Sequence, residues 1–145
     1  MKTMLNIQES PYALLLFTAV ALLVALVLSP IANVDFQDMT MFSVPLANMI
    51  WMIPLLLTSL WLLYLLTRRF LYSMTVTWIH VLLTVITTLL IVAVLFIGIN
   101  PSELARERHE LIGTATQILS MVFVFGQLTF LANVLLGLFG RSNGR

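Results

Sequence analysis

The chain has 145 residues, of which 61% are hydrophobic and 9% charged, with a formal net charge of +1 and a mean hydropathy of +1.07. A soluble domain carries roughly a quarter charged residues, so this is the composition of an integral membrane protein, and so small a net charge gives no general attraction to nucleic acid. The absence of cysteine excludes disulfides, thiolate nucleophiles, iron–sulfur clusters and cysteine zinc sites.

Apolar runs long enough to cross a bilayer, about 20 residues each, occur over residues 11–33, 42–66, 74–99 and 111–139. They predict an all-α fold, a four-transmembrane-helix bundle that occupies the chain as a single membrane domain. Lys2, Arg68, Arg69, Arg141 and Arg145 fall on one side of such a bundle. Arg106 and Arg108 fall on the other, among Asp35, Asp38, Glu103, Glu107 and Glu110. By the positive-inside rule both termini and the "TRRF" turn are cytoplasmic, and the expected location is a bacterial inner (plasma) membrane.

The first run opens with Ser10-Pro11, an N-cap followed by proline at the first helical position, and is interrupted only by Thr18 before Ser29. It is longer than a signal-peptide core and "LSPIANV" is a poor cleavage site, so it is expected to remain as a helix. "SPIANVDFQDM" reads as an external loop. The second helix is expected from near Phe42 and contains Pro45 and Pro54. Pro54 takes the donor from the Ile50 carbonyl and should kink the span. "TRRFLYSM" is short enough to make the second and third helices antiparallel neighbours, with arginines and aromatics at headgroup level.

The third helix carries Thr77, His80, Thr84, Thr87 and Thr88 within an arc of roughly 100°. Polar groups are expensive in hydrocarbon, so this stripe is expected to form a seam with other helices. Asn100-Pro101 ends the helix and Ser102 can cap the next, which starts as the charged segment "ELARERHE". At 100° per residue the fourth helix shows two faces. Gly113, Thr116, Gln117, Ser120 and Gln127 share one, and Gln117, Ser120 and Gln127 are expected in the interhelical seam. Gly126, Thr129, Asn133 and Gly137 lie on roughly the opposite side and are expected to pack a neighbouring helix or another protein chain.

Reactive chemistry finds little support. His80 and His109 stand about 25 Å apart along the chain's helices, too far to share one haem, and the interior spans hold no carboxylate for proton or cation coupling. Glu107, His109 and Glu110 spread around their helix and read as a solvated charged start rather than a metal site. Asp35 and Asp38 read as a wet external loop, with the alternatives of binding a cation or docking a partner. Asn48, Gln117, Gln127 and Asn133 are the residues that would line a neutral pore, and Trp51, Trp61 and Trp78 those that would flank a quinone-like cofactor; interhelical bonding and interfacial anchoring explain both sets more simply. Neither GxSxG nor HExxH occurs. No cofactor, metal or catalytic residue is expected.

In the order and spacing of its elements the chain resembles the last four helices of the haem-copper oxidase catalytic subunit, subunit I. "NVDFQDMTMFSV" stands where that family has a "DTYYVVAHFHY"-type segment. "LLYLLTRRFLYSMTVTWIHVLLTVI" stands for its cytoplasmic turn and Ile-His helix start, and "ERHELIGTATQILSMVFVFGQL" for its final helix. Asp38 and Ile79-His80 are the anchors. On that alignment the family's haem-ligating histidines fall at Pro45 and Ala47, which cannot bind iron, and His80 matches a histidine that is not a haem ligand. The resemblance therefore implies a relative without redox chemistry. The expected function is that of an accessory or assembly subunit of a larger membrane complex, for which the resemblance implies a respiratory setting, acting through helix packing with other subunits or with itself. The alternatives are a homo-oligomeric neutral pore or small-solute transporter, and a haem- or quinone-binding protein.

Overall fold

A computed structural model describes residues 10–28, 40–41, 44–99 and 105–142, with side chains over 10–28, 50–94 and 111–140. Its elements are α1 (Ala13–Leu28), a two-residue antiparallel ladder of β1 (Thr40–Met41) and β2 (Val44–Pro45), α2 (Leu46–Thr67), a 3-10 turn (Arg68–Phe70), α3 (Met74–Ile99) and α4 (Ala105–Ser142). Three helical stretches are long and apolar enough to cross a membrane: Ile50–Phe70, Met74–Val94 and Leu111–Gly140. The described part of α1, with 16 residues, rises about 24 Å, short of a hydrocarbon core of about 30 Å.

The chain divides into two compact units, Met1–Arg69 and Phe70–Arg145. In the first, α1 packs on α2. A turn precedes α1, its backbone bonds running from Ala13, Leu14 and Leu15 to the carbonyls of Ser10, Pro11 and Tyr12, so Pro11 sits where no amide donor is needed. Tyr12 in the turn, Leu15, Ala19 and Leu26 on α1, and Ile50, Leu57 and Tyr64 on α2 are buried. The α2 residues are seven apart, the step that keeps a seam facing an antiparallel neighbour. Tyr12 and Tyr64 close the unit with stacked rings, centroids 5.6 Å apart and planes at 13°.

Helix α2 begins at Leu46 rather than near Phe42, because Pro45 cannot donate in a helix and biases Val44 toward the extended conformation it adopts in the ladder. It continues without interruption through Pro54, and the Thr58 hydroxyl donates to the Pro54 carbonyl at 2.8 Å. Thr18, Ser59 and Thr67 bond in the same way to carbonyls one turn back, a satisfaction within the helix that leaves them free of any need for water.

The second unit is the α3–α4 pair. Thr116, Phe123, Phe130 and Gly137 stand seven residues apart on α4 and are buried or half-buried, as are Leu119, Gly126 and Asn133 between them. Gln117, Ile118, Met121, Val122, Val124 and Phe125 are exposed. On α3, Thr77, His80, Val81, Thr84, Thr87 and Thr88 are all buried, and Val85 widens that face. Helix α4 is unbroken over 38 residues, so the charged segment from Arg106 to Glu110 is a continuation of the apolar helix, about one and a half turns long.

Candidate functional site

The polar seam between α3 and α4 concentrates the chain's unusual chemistry, and it consists of two hydrogen-bonded nodes. At the centre, His80 Nε2 lies 3.2 Å from Gln127 Oε1 and 3.3 Å from Thr84 Oγ1. The Gln127 amide nitrogen donates to Thr84 Oγ1 at 3.4 Å and to the Phe123 carbonyl at 3.3 Å. A carboxamide oxygen only accepts, so this pattern assigns the histidine proton to Nε2, shared between Gln127 and Thr84. The imidazole also lies against Phe130, ring centroids 5.5 Å apart.

The second node lies where α3 starts. Asn133 Oδ1 accepts from the Ser73 amide at 3.0 Å, while its Nδ2 donates to the Ser73 carbonyl at 3.2 Å and to Thr77 Oγ1 at 3.0 Å. The Asn133 main-chain carbonyl accepts from the Tyr72 amide at 3.2 Å, and the Thr77 hydroxyl donates to the Ser73 carbonyl at 3.0 Å. A helix start leaves its first amides without partners inside the helix; here α4 supplies acceptors to the segment leading into α3. One turn beyond Asn133, Gly137 lets the Phe70 carbonyl lie directly against the α4 backbone. A Cβ at this position would overlap that oxygen and stand 3.0 Å from the Tyr72 nitrogen.

Toward the other end the hydroxyls are satisfied one turn back. Thr87 donates to the Leu83 carbonyl at 2.6 Å, Thr116 to Ile112 at 2.8 Å and Ser120 to Thr116 at 2.8 Å. Thr88 is the exception, its Oγ1 buried with no partner among the described residues.

These placements revise the sequence reading of α4. Gln117, expected in the seam, is exposed, and so is Gly113, beside which nothing stands within 4 Å of an added Cβ. Gly126, Asn133 and Gly137, expected to face another helix or chain on the opposite side, meet α3 or the turn before it, Gly126 through Leu83 at 3.2 Å. Thr129 is half-buried and bonds the Gly126 carbonyl at 2.7 Å. The reason is the breadth of the seam. Projected at 100° per residue, Ser120 and Gln127 lie to one side, and Asn133 and Thr129 to the other, of the buried or half-buried line through Thr116, Phe123, Phe130 and Gly137, so the two sets are the edges of one broad seam. Counting at intervals of seven would have found Thr116, Phe123, Phe130 and Gly137 together. Nothing in the sequence signals that Asn133 would hold the backbone of Ser73.

Asp35 and Asp38 lie outside the described residues, as do the side chains of Asn48, Glu107, His109 and Glu110. Among the described residues no three His, Cys, Asp or Glu side chains gather as a metal site. Trp51 is exposed and Trp61 and Trp78 are half-buried. In the two nodes the available chemistry is hydrogen bonding by amide, hydroxyl and imidazole groups.

The class these features define is an all-helical chain with membrane-length apolar helices and a polar seam within one helical hairpin. The chain matches no protein-family model, no curated protein and no solved structure.

Proposed function

We propose that this chain is a non-catalytic, four-span membrane protein with both termini cytoplasmic, acting by helix packing as an accessory or assembly subunit of a larger membrane complex. The observation that carries this reading is how the seam's polar groups are used. His80, Gln127, Thr84, Asn133 and Thr77 bond to one another or to nearby backbone, as a scaffold requires and as a pore lining would not. In hydrocarbon such bonds have no competition from water, and interhelical ones contribute about 0.6 kcal/mol each, up to about 1.7. A rigid hairpin with an apolar exterior, including Phe125 at 66% and Phe139 at 68% exposure, is then available to neighbouring spans. The respiratory setting rests on the resemblance to oxidase subunit I.

Mild-detergent extraction followed by native mass spectrometry tests the proposal. A mass that includes other membrane polypeptides supports an accessory role. Recovery of this chain alone, together with solute flux through reconstituted vesicles, would replace that role with the pore.

A further inference from the structure

Gln117 sits awkwardly for a membrane helix. It is exposed, and its carboxamide makes no hydrogen bond among the described residues. Its depth follows from the register of the hairpin. His80 meets Gln127; ten residues back along α4 is Gln117, and ten residues forward along the antiparallel α3 is Leu90. Leu90 lies within the membrane-length stretch Met74–Val94, and α3 continues as the apolar "IVAVLFIGI" to Ile99. Gln117 is therefore inside the apolar slab, seven residues, or about 10 Å of helix, beyond Glu110, the charged residue that precedes the apolar part of α4, where an unpaired amide is costly.

We infer that this face of α4 docks against the same face of a second copy of the chain, the two Gln117 carboxamides bonding to each other across a two-fold axis normal to the membrane. A second copy is the occupant the chemistry selects. Copies inserted in the same direction carry Gln117 at the same depth, and a carboxamide offers both a donor and an acceptor, so a two-fold pair satisfies both groups. Gly113, one turn away, leaves room for close approach. Met121, Val124, Leu128 and Leu131 continue the line at alternating steps of four and three, all exposed, the spacing of a helix-pairing seam. Aliphatic side chains gain little over lipid by pairing, so the amide supplies the preference and the line supplies the fit. This inference rests on the membrane-spanning reading but is separate from the accessory role.

The cysteine-free chain suits disulfide trapping in the full-length protein in vesicles. Met121→Cys should form a two-chain species on oxidation, and Val122→Cys, at nearly the same depth on another face, should form far less. Adding Gln117→Leu to Met121→Cys should lower trapping by roughly eightfold or more, the effect of the two interhelical hydrogen bonds of the pair, and Gln117→Asn should restore most of it. Equal trapping at both cysteines, or trapping indifferent to Gln117→Leu, overturns the pairing. If the Met121→Cys thiol reacts in intact vesicles with a membrane-impermeant maleimide, the spanning reading fails as well; a shielded thiol without trapping overturns the pairing alone.

Discussion

Asn133 and Ser73, 60 residues apart in the chain, are joined through two hydrogen bonds: the asparagine amide accepts from the serine N–H and donates to its C=O. A side-chain amide thus pairs with a peptide unit as a neighbouring strand would, and the entry to α3 is set by a residue of α4. Replacing Asn133 by Leu should destabilise the unit by about 2–3 kcal/mol, since three bonds go and polar groups are left buried. Hydrogen exchange separates the side chain's part from the backbone's. The Ser73 amide should exchange much faster in the variant, and the Tyr72 amide, held by the Asn133 main-chain carbonyl, should change little. Equal acceleration of both would contradict this division.

The His80–Gln127 bond should appear as a coupling energy. In a double-mutant cycle of His80→Leu and Gln127→Leu, thermal or denaturant unfolding in detergent should give an interaction of about 0.6–1.7 kcal/mol. Additive effects would mean that the two side chains act independently.

Gly137 and Gly140 differ by one turn and should differ sharply in tolerance. A methyl at Gly137 meets the Phe70 carbonyl, which belongs to backbone and cannot rotate away, whereas Gly140 has nothing within 4 Å. Gly137→Ala should cost about 1–3 kcal/mol as overpacking. Gly140→Ala should be neutral or slightly stabilising, because alanine favours the helix. Comparable loss at both positions would show that packing at Gly137 is not the cause.

Thr84 and Thr88, one turn apart and both buried, should respond to valine in opposite directions. Thr84→Val removes the hydroxyl that accepts from Gln127 and meets His80, and should destabilise by about 1–2 kcal/mol. Thr88→Val removes a buried hydroxyl that lacks a partner among the described residues, so it should be neutral or stabilising by up to about 1 kcal/mol. A loss at Thr88 similar to that at Thr84 would reveal a bond made in the membrane.

The α3 stripe was legible because its five polar residues span only three turns, too short for the choice between 3.5 and 3.6 residues per turn to matter. On α4 the polar and small residues mark the two edges of one broad contact face whose centre is the apolar Phe123 and Phe130, so their positions alone suggest two faces. Gln117 illustrates a second limit. Its polarity argues for burial, but a chain can also leave an amide outward, and residue type alone does not distinguish the two.

Composition and hydropathy by themselves determined that the chain is helical and made of membrane-length apolar segments, because backbone groups in hydrocarbon must bond within their own helix. The same patterns located the polar stripe, since side-chain cost depends on residue type and helical spacing. Only the tertiary structure decided which atoms meet: Gln127 with His80, Asn133 with the Ser73 backbone, Gly137 with the Phe70 carbonyl. Those pairings depend on the axial offset of two antiparallel helices, and that offset is set by the sum of close contacts along the seam, none of which is local in sequence.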